Sequence, residues 1–158
     1  MPTARRSRKI AAPAEDLWAL ISDPHHLPRW WPRVTRVEDV EDDAFTEVMK
    51  TRKGKLVRAD FQVAAREESE CTLTWAQRVE GTPFAQVLSA AETQLWLERE
   101  GSESTKVTIE LRQTMVRYSG RSGGLFLGLA PRLGGTMVRR AARATLDEAL
   151  DGLERISG

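Results

Sequence analysis

The stretch PRLGGTMVRRAARATLDEALDGLERI, residues 131–156, carries the plainest periodicity in the chain. Leu133, Met137, Ala141, Thr145, Ala149, Leu153 and Ile156 recur at helical spacing, and Leu146 and Leu150 widen the stripe. Arg139, Arg140, Arg143, Asp147, Glu148, Asp151 and Glu154 occupy the other side. This pattern predicts one long amphipathic helix, which Pro131 can start or kink. At 1.5 Å per residue some 25 residues span about 37 Å. Size scaling gives a domain of this length a diameter of only ~30 Å. Such a helix has to lie across the full width of whatever it packs on.

What it packs on is legible upstream. From Val34 to Tyr118, turn signals recur at Glu41-Asp42-Asp43, Lys53-Gly54, Glu67-Glu68-Ser69, Glu80-Gly81-Thr82-Pro83 and Glu100-Gly101-Ser102. Between them the residues alternate. Val57, Ala59, Phe61 and Val63 face one way against Arg58, Asp60 and Gln62; Leu73, Trp75, Gln77 and Val79 oppose Thr72, Thr74 and Arg78. Val107, Ile109, Leu111, Gln113 and Met115 likewise oppose Thr108, Glu110, Arg112 and Thr114. Period-two alternation means strands with one wet face. Consecutive hairpins then build an antiparallel meander of six strands, or seven with the segment around Ile10. The run from Phe84 to Arg99 is too long for a flat strand, which predicts a bulge near Ser89 to Ala91. Between the first strand and the meander, Pro13 suits a helix start, and Leu17, Leu20 and Ile21 form a narrow apolar stripe. Asp23-Pro24 ends that helix and caps a second short turn, confined by Pro28 and Pro32.

Composition narrows the function. The 158 residues suit one domain, residues 1–158, with 41% hydrophobic and 30% charged side chains. Twenty-four basic residues against 23 acidic ones leave a net charge of +1, too little to steer the chain onto nucleic acid. A single cysteine, Cys71, excludes an intrachain disulfide, and with two histidines it excludes the common Cys/His zinc spacings. No apolar run is long enough to cross a bilayer, and the basic start (Arg5, Arg6, Arg8, Lys9) leads into no signal-peptide core. The expectation is a cytoplasmic protein with no metal and no cofactor. There is no Ser-His-Asp set, phosphate-cradling glycine loop or nucleotide fingerprint.

A curved antiparallel sheet with a long helix across its concave face leaves space between the two. The order of strand, two small helices, six strands and long helix resembles the START-like, or helix-grip, superfamily (SRPBCC), and within it the polyketide cyclase/dehydrase and lipid transport group. The residues carrying the resemblance are Ile10-Ala11-Ala12-Pro13-Ala14-Glu15-Asp16-Leu17-Trp18, then Asp23-Pro24 and Leu27-Pro28-Arg29-Trp30-Trp31-Pro32. Element order matches over nearly the whole chain, the motif over its N-terminal third. The resemblance implies an α+β fold with a seven-stranded sheet. It also implies that the protein binds or carries hydrophobic molecules, cyclises or dehydrates polyketides, or docks onto a protein partner.

Polar residues on inward parities are the sharpest local clue. Gln77 lies between Trp75 and Val79, and Gln113 between Leu111 and Met115. Burying an unpaired amide costs roughly 1–3 kcal/mol, so each needs a ligand, a trapped water or the other amide. The expected ligand-binding lining is Phe61, Val63, Leu73, Trp75, Leu95, Leu97, Ile109, Leu111, Met115, Met137 and Ala141 with the two glutamines. It suits a lipid, an isoprenoid or a polyketide-like molecule bearing one or two oxygens. Trp18, Trp30 and Trp31 close one end, with Trp31 available to stack on a ligand.

Other candidates have plainer readings. His25 and His26 are adjacent, so on a helix they point about 100° apart and cannot share a metal. Cys71 reads as a small buried hydrophobe opening a strand. Glu47 shares parity with Phe45 and Met49, Asp60 opposes Phe61, and edge exposure accounts for both. For the enzyme alternative, Arg117 and Tyr118 at a strand end are the residues that can polarise a carbonyl and shuttle a proton. The glycines from Gly120 to Gly128 flank Leu125, Phe126 and Leu127, an apolar flap that can gate a cavity or touch a membrane surface transiently. As an interaction module, the chain would dock an acidic partner through Arg139, Arg140 and Arg143, with Arg143 and Asp147 spaced to pair along the helix.

Overall fold

The computed structural model describes residues 3–51, 53–86, 88–115 and 131–157, the last stretch with its side chains from Arg139 onward. Strand β1 (Thr3–Ile10) leads into helix α1 (Ala14–Ile21), a 3₁₀ turn at Pro24–His26 and helix α2 (Leu27–Trp30). Six strands follow: β2 (Val34–Glu38), β3 (Ala44–Lys50), β4 (Leu56–Glu67), β5 (Thr72–Gln77), β6 (Leu88–Arg99) and β7 (Thr105–Met115). A 3₁₀ turn at Pro83–Gln86 interrupts the β5–β6 connection, and helix α3 (Pro131–Ser157) closes the fold. The strands form one seven-stranded sheet in the order β1-β7-β6-β5-β4-β3-β2. All six pairings are antiparallel. This is the helix-grip architecture.

Local chemistry explains the element ends. Pro13 takes the N-cap of α1, Glu15 and Asp16 fill the first turn, and no side chain caps it, so packing of Leu17 and Ile21 holds the helix. Asp23 accepts the His25 backbone N–H at 3.0 Å and so caps the 3₁₀ turn. Register shifts at Val34/Arg36, Val63/Ala65 and Leu88/Ala90 bend the strands, the last within the predicted stretch. An extra residue on one strand sharpens its twist, and such bulges curl the sheet into a cup.

Helix α3 grips that cup unevenly. Its C-terminal half buries Ala149, Leu150 and Leu153, which pack with Ile10, Leu17, Leu27 and Trp30. Close approach to α2 requires Gly152: a Cβ there would lie 2.3 Å from the Trp30 carbonyl oxygen. Strand β1 clamps the same half, since Arg6 meets Asp147 at 3.3 Å and Arg8 pairs with Asp151 and Glu154. Asp147 therefore serves Arg6 rather than the Arg143 one helical turn away. Further toward the N-terminus the helix carries the small side chains Ala141, Ala142 and Thr145, which line a pocket between it and the sheet.

Candidate functional site

Pairing register shows where the sheet is filled and where it is hollow. Across β5, β6 and β7, Leu73, Leu95 and Ile109 lie side by side, followed by Trp75, Thr93 and Leu111, then Gln77, Ala91 and Gln113. The first row is fully buried under the α1, α2 and α3 contacts, as are Val107 and nearly Leu97 beyond it. The second and third rows line a cavity of about 370 Å³ beneath the N-terminal half of α3. Trp31, Met49, Phe61, Phe84 and Leu88 complete its apolar walls, and Ala141, Ala142 and Thr145 its roof. A neighbouring pocket of about 290 Å³ shares Trp31, Met49, Phe84 and Thr145 with it and runs out past Arg33, Lys50 and Thr51.

The aromatic wall is rigid. Trp31 meets Trp75 edge-on with ring centroids 5.9 Å apart, and Phe45 stacks on Phe61 at 5.3 Å while its edge meets Trp75. Trp30 buttresses Trp31 from behind at 5.4 Å. Among the described residues its own indole N–H is buried without a partner, a local cost that the surrounding packing has to offset. Such interlocked rings hold one shape with little freedom to lose when a ligand arrives.

The predicted lining residues divide by depth. Trp31, Phe61, Trp75, Gln77, Leu111, Gln113 and Ala141 line the cavity. Leu73, Leu95, Leu97 and Ile109 do not: they belong to the packed core. Met115 packs against Val79, Leu88 and Ala91 at the cavity's far end, and Val63 is half-buried against the core. The Met137 side chain, Arg117, Tyr118 and the Gly120 to Gly128 segment lie outside the described residues. Gln77 and Gln113 stand two strands apart with Ala91 between them, about 10 Å at ordinary strand spacing. Among the described residues neither amide side chain has a hydrogen-bond partner, so they do not satisfy each other.

Glu47 overturns the edge-exposure reading. Strand β3 is flanked by β2 and β4, so its residues are not at an edge. Glu47 is only 2% exposed and lines the cavity beside Met49 and Phe61. Among the described residues no hydrogen bond or ion pair reaches its carboxyl, and desolvation raises its pKa to about 8. The acid is therefore largely protonated at neutral pH. Asp60 is not at an edge either: β4 lies inside the sheet, and on its outer face Asp60 accepts from Thr46 at 2.7 Å and pairs with Arg78 at 3.4 Å. The signal that would have found Glu47 was its parity with Phe45 and Met49, the same argument that picked out the glutamines. Met49, Phe84, Leu88, Ala91, Thr93, Ala142 and Thr145 also line the cavity without being among the expected lining.

The remaining candidates are peripheral. His25 and His26 sit in a surface turn around Asp23, at 2.8 and 3.8 Å. Cys71 precedes β5 instead of opening it, with a left-handed φ of 52°. Desolvation raises its thiol above the usual value, which leaves it protonated and unreactive. Arg139, Arg140 and Arg143 border a surface pocket of about 420 Å³ with Arg6 and Asp147.

Cup, hollow and gripping helix together make up the helix-grip fold. The chain belongs to the polyketide cyclase / dehydrase and lipid transport family, whose pattern it matches over residues 1–158. Among solved structures it is similar to the Zhui aromatase/cyclase of Streptomyces sp. R1128, with a TM-score of 0.79 and 16% identity over 98% of this chain and 92% of that one. It is also similar to a START superfamily protein of Mycobacterium smegmatis, with a TM-score of 0.74 and 15% identity over 99% and 97%. The di-domain ARO/CYC BexL aligns at a TM-score of 0.74 and 18% identity, over 98% of this chain and 46% of that one. At these identities the likeness concerns the fold. No curated protein matches the chain in sequence. Among the described residues no helix is long and apolar enough to cross a membrane.

Proposed function

We propose that the protein binds and carries an apolar small molecule of lipid, isoprenoid or polyketide-like character in the cavity under α3. The observation behind this reading is a hollow of about 370 Å³ with rigid aromatic walls and two amides that no described residue satisfies. Burial against Trp31, Phe61, Trp75, Leu111 and Ala141 supplies the driving force at about 25 cal/mol per Å² of apolar surface. Gln77 and Gln113 set orientation, and the packed rows of Leu73, Leu95, Leu97 and Ile109 stiffen the sheet alongside. Met115, packed against Leu88 and Ala91, bounds the far end of the same site. Thermal shift and native mass spectrometry with lipid, isoprenoid and aromatic polyketide probes test the reading. Binding of at least one class, lost on Gln77→Leu together with Gln113→Leu, is the expected result; no stabilisation by any of them rejects it.

A catalytic reading has one observation in its favour, the buried acid Glu47, which lines the cavity and whose raised pKa favours the protonated form at neutral pH. It would make the protein a cyclase or dehydratase, with Arg117 and Tyr118 as the remaining groups. Turnover of an aromatic polyketide probe, abolished in Arg117→Ala or Tyr118→Phe while probe binding persists, would decide for it.

A further inference from the structure

We infer that the cavity is built for an apolar amine, with Glu47 as the counter-ion of its ammonium group and the Trp31, Phe61 and Trp75 rings around it. The inference rests on the carrier reading and specifies its ligand.

Glu47 is the one ionisable side chain among the described residues that line the hollow. Opposite it on the flanking strands stand Val37 and Ala59. On the outer face Glu38 takes Arg36 and Arg58, and Asp60 takes Thr46 and Arg78, while Arg33 and Lys50 line the adjoining pocket and not the hollow itself. Among the described side chains of α3, Ala141, Ala142 and Thr145 line the hollow. The carboxyl is thus desolvated with nothing from the described protein to compensate it. A neutral ligand oxygen would be served equally by an amide, the group used at positions 77 and 113, without the cost of burying an acid. An acid is favoured where a positive charge meets it. The aromatic lining adds to the selection, because the negative quadrupole of a ring face attracts a cation and repels an anion.

Proton accounting gives the inference its own signature. Below a pH of about 8 the empty site holds Glu47 protonated. An alkylammonium ion that enters displaces that proton to solvent, leaving a carboxylate–ammonium pair: one proton released for each amine bound.

The test compares naphthylethylamine with naphthylethanol, alike in shape but only the first cationic. Calorimetry near neutral pH in two buffers of different ionisation enthalpy reads affinity and proton release together. The expected result is a preference of about tenfold or more for the amine, as a charge-assisted bond provides. One proton should be released with the amine and none with the alcohol. Glu47→Gln should retain alcohol binding and lose the preference. Equal affinities, binding of the alcohol alone, or amine binding without proton release would overturn the inference while leaving the carrier reading standing. Binding of neither probe, nor of any probe in the wider screen, would remove both. Proton release is read on the unaltered protein, so the inference stays open to refutation even if the variant folds poorly.

Discussion

Two glutamates, each 2% exposed, lie on opposite faces of one sheet and are pushed in opposite directions. On the outer face, Glu110 is covered by Arg5 and Arg112, both of which bond its carboxylate, while Arg5 also lies over the Trp96 ring. Desolvation works to raise its pKa, but the bonds from Arg5 and Arg112 outweigh that and hold it below the usual range. On the inner face Glu47 has desolvation alone, and its pKa rises from 4.5 to about 8. The linkage signs follow. The folded protein holds more protons than the unfolded one between those two values, so Glu47's contribution is intact below pH 4.5 and is lost as pH climbs toward about 8. The loss is at most about 1.4 kcal/mol for each pH unit in that window. Glu110 behaves oppositely, since its stabilisation is lost only as pH falls through its lowered pKa. Urea titrations across the range should therefore show wild-type stability declining toward alkaline pH, and Glu47→Gln flattening the decline. A variant as pH-sensitive as wild type would mean that water or an unseen cation already compensates the acid.

At the scale of elements, α3 joins a welded half to a spanning half, and Gly152 sets the weld. Replacing a helical glycine by alanine ordinarily gains up to about 1 kcal/mol in propensity. Here the new Cβ would sit 2.3 Å from the Trp30 carbonyl oxygen and 2.9 Å from its Cα, all backbone that cannot rotate aside. Overpacking costs about 1–3 kcal/mol, so Gly152→Ala should be net destabilising by about 1–2 kcal/mol. A lower urea midpoint at unchanged slope would register it. A gain in stability would show that α2 gives way. The same element marks what the sequence could tell. The span of α3 followed from its periodicity, and the faces of β4, β5 and β7 from alternation. Alternation reports which side of a strand a residue occupies, not how far along the sheet it falls. Leu73, Leu95 and Ile109 share a face with Trp75, Thr93 and Leu111, yet one row separates solid core from open cavity. That row is set by where the oblique helix touches down, a tertiary fact fixed by Gly152 and the Arg6 and Arg8 clamps. Glu47 was misread for a related reason: a strand's place in the sheet depends on partners that its own residues do not name.

Across the whole molecule, the hollow is helped by small side chains on the central strand β6 of its floor and on the helix above. Ala91 and Thr93 lie below, Ala141, Ala142 and Thr145 above, and a close-packed interior would use larger residues at such facing positions. The protein thereby forgoes apolar burial that its neighbouring rows exploit, as expected where function and stability compete. Ala91 is the position that tests this, being 6% exposed and seated between Gln77 and Gln113. Leucine there would project into existing space instead of displacing packed atoms, so the usual overpacking penalty does not apply. Filling the void should raise stability by up to about 1–2 kcal/mol, the burial of a few methylene groups. It should also abolish the thermal shift from any ligand that wild type binds, because the added side chain occupies the ligand's volume between the two amides. Ala91→Leu is thus expected to unfold at higher urea and to ignore ligand. A destabilised variant would mean that the hollow closes in solution, and a stabilised one that still binds normally would place the ligand elsewhere on the protein.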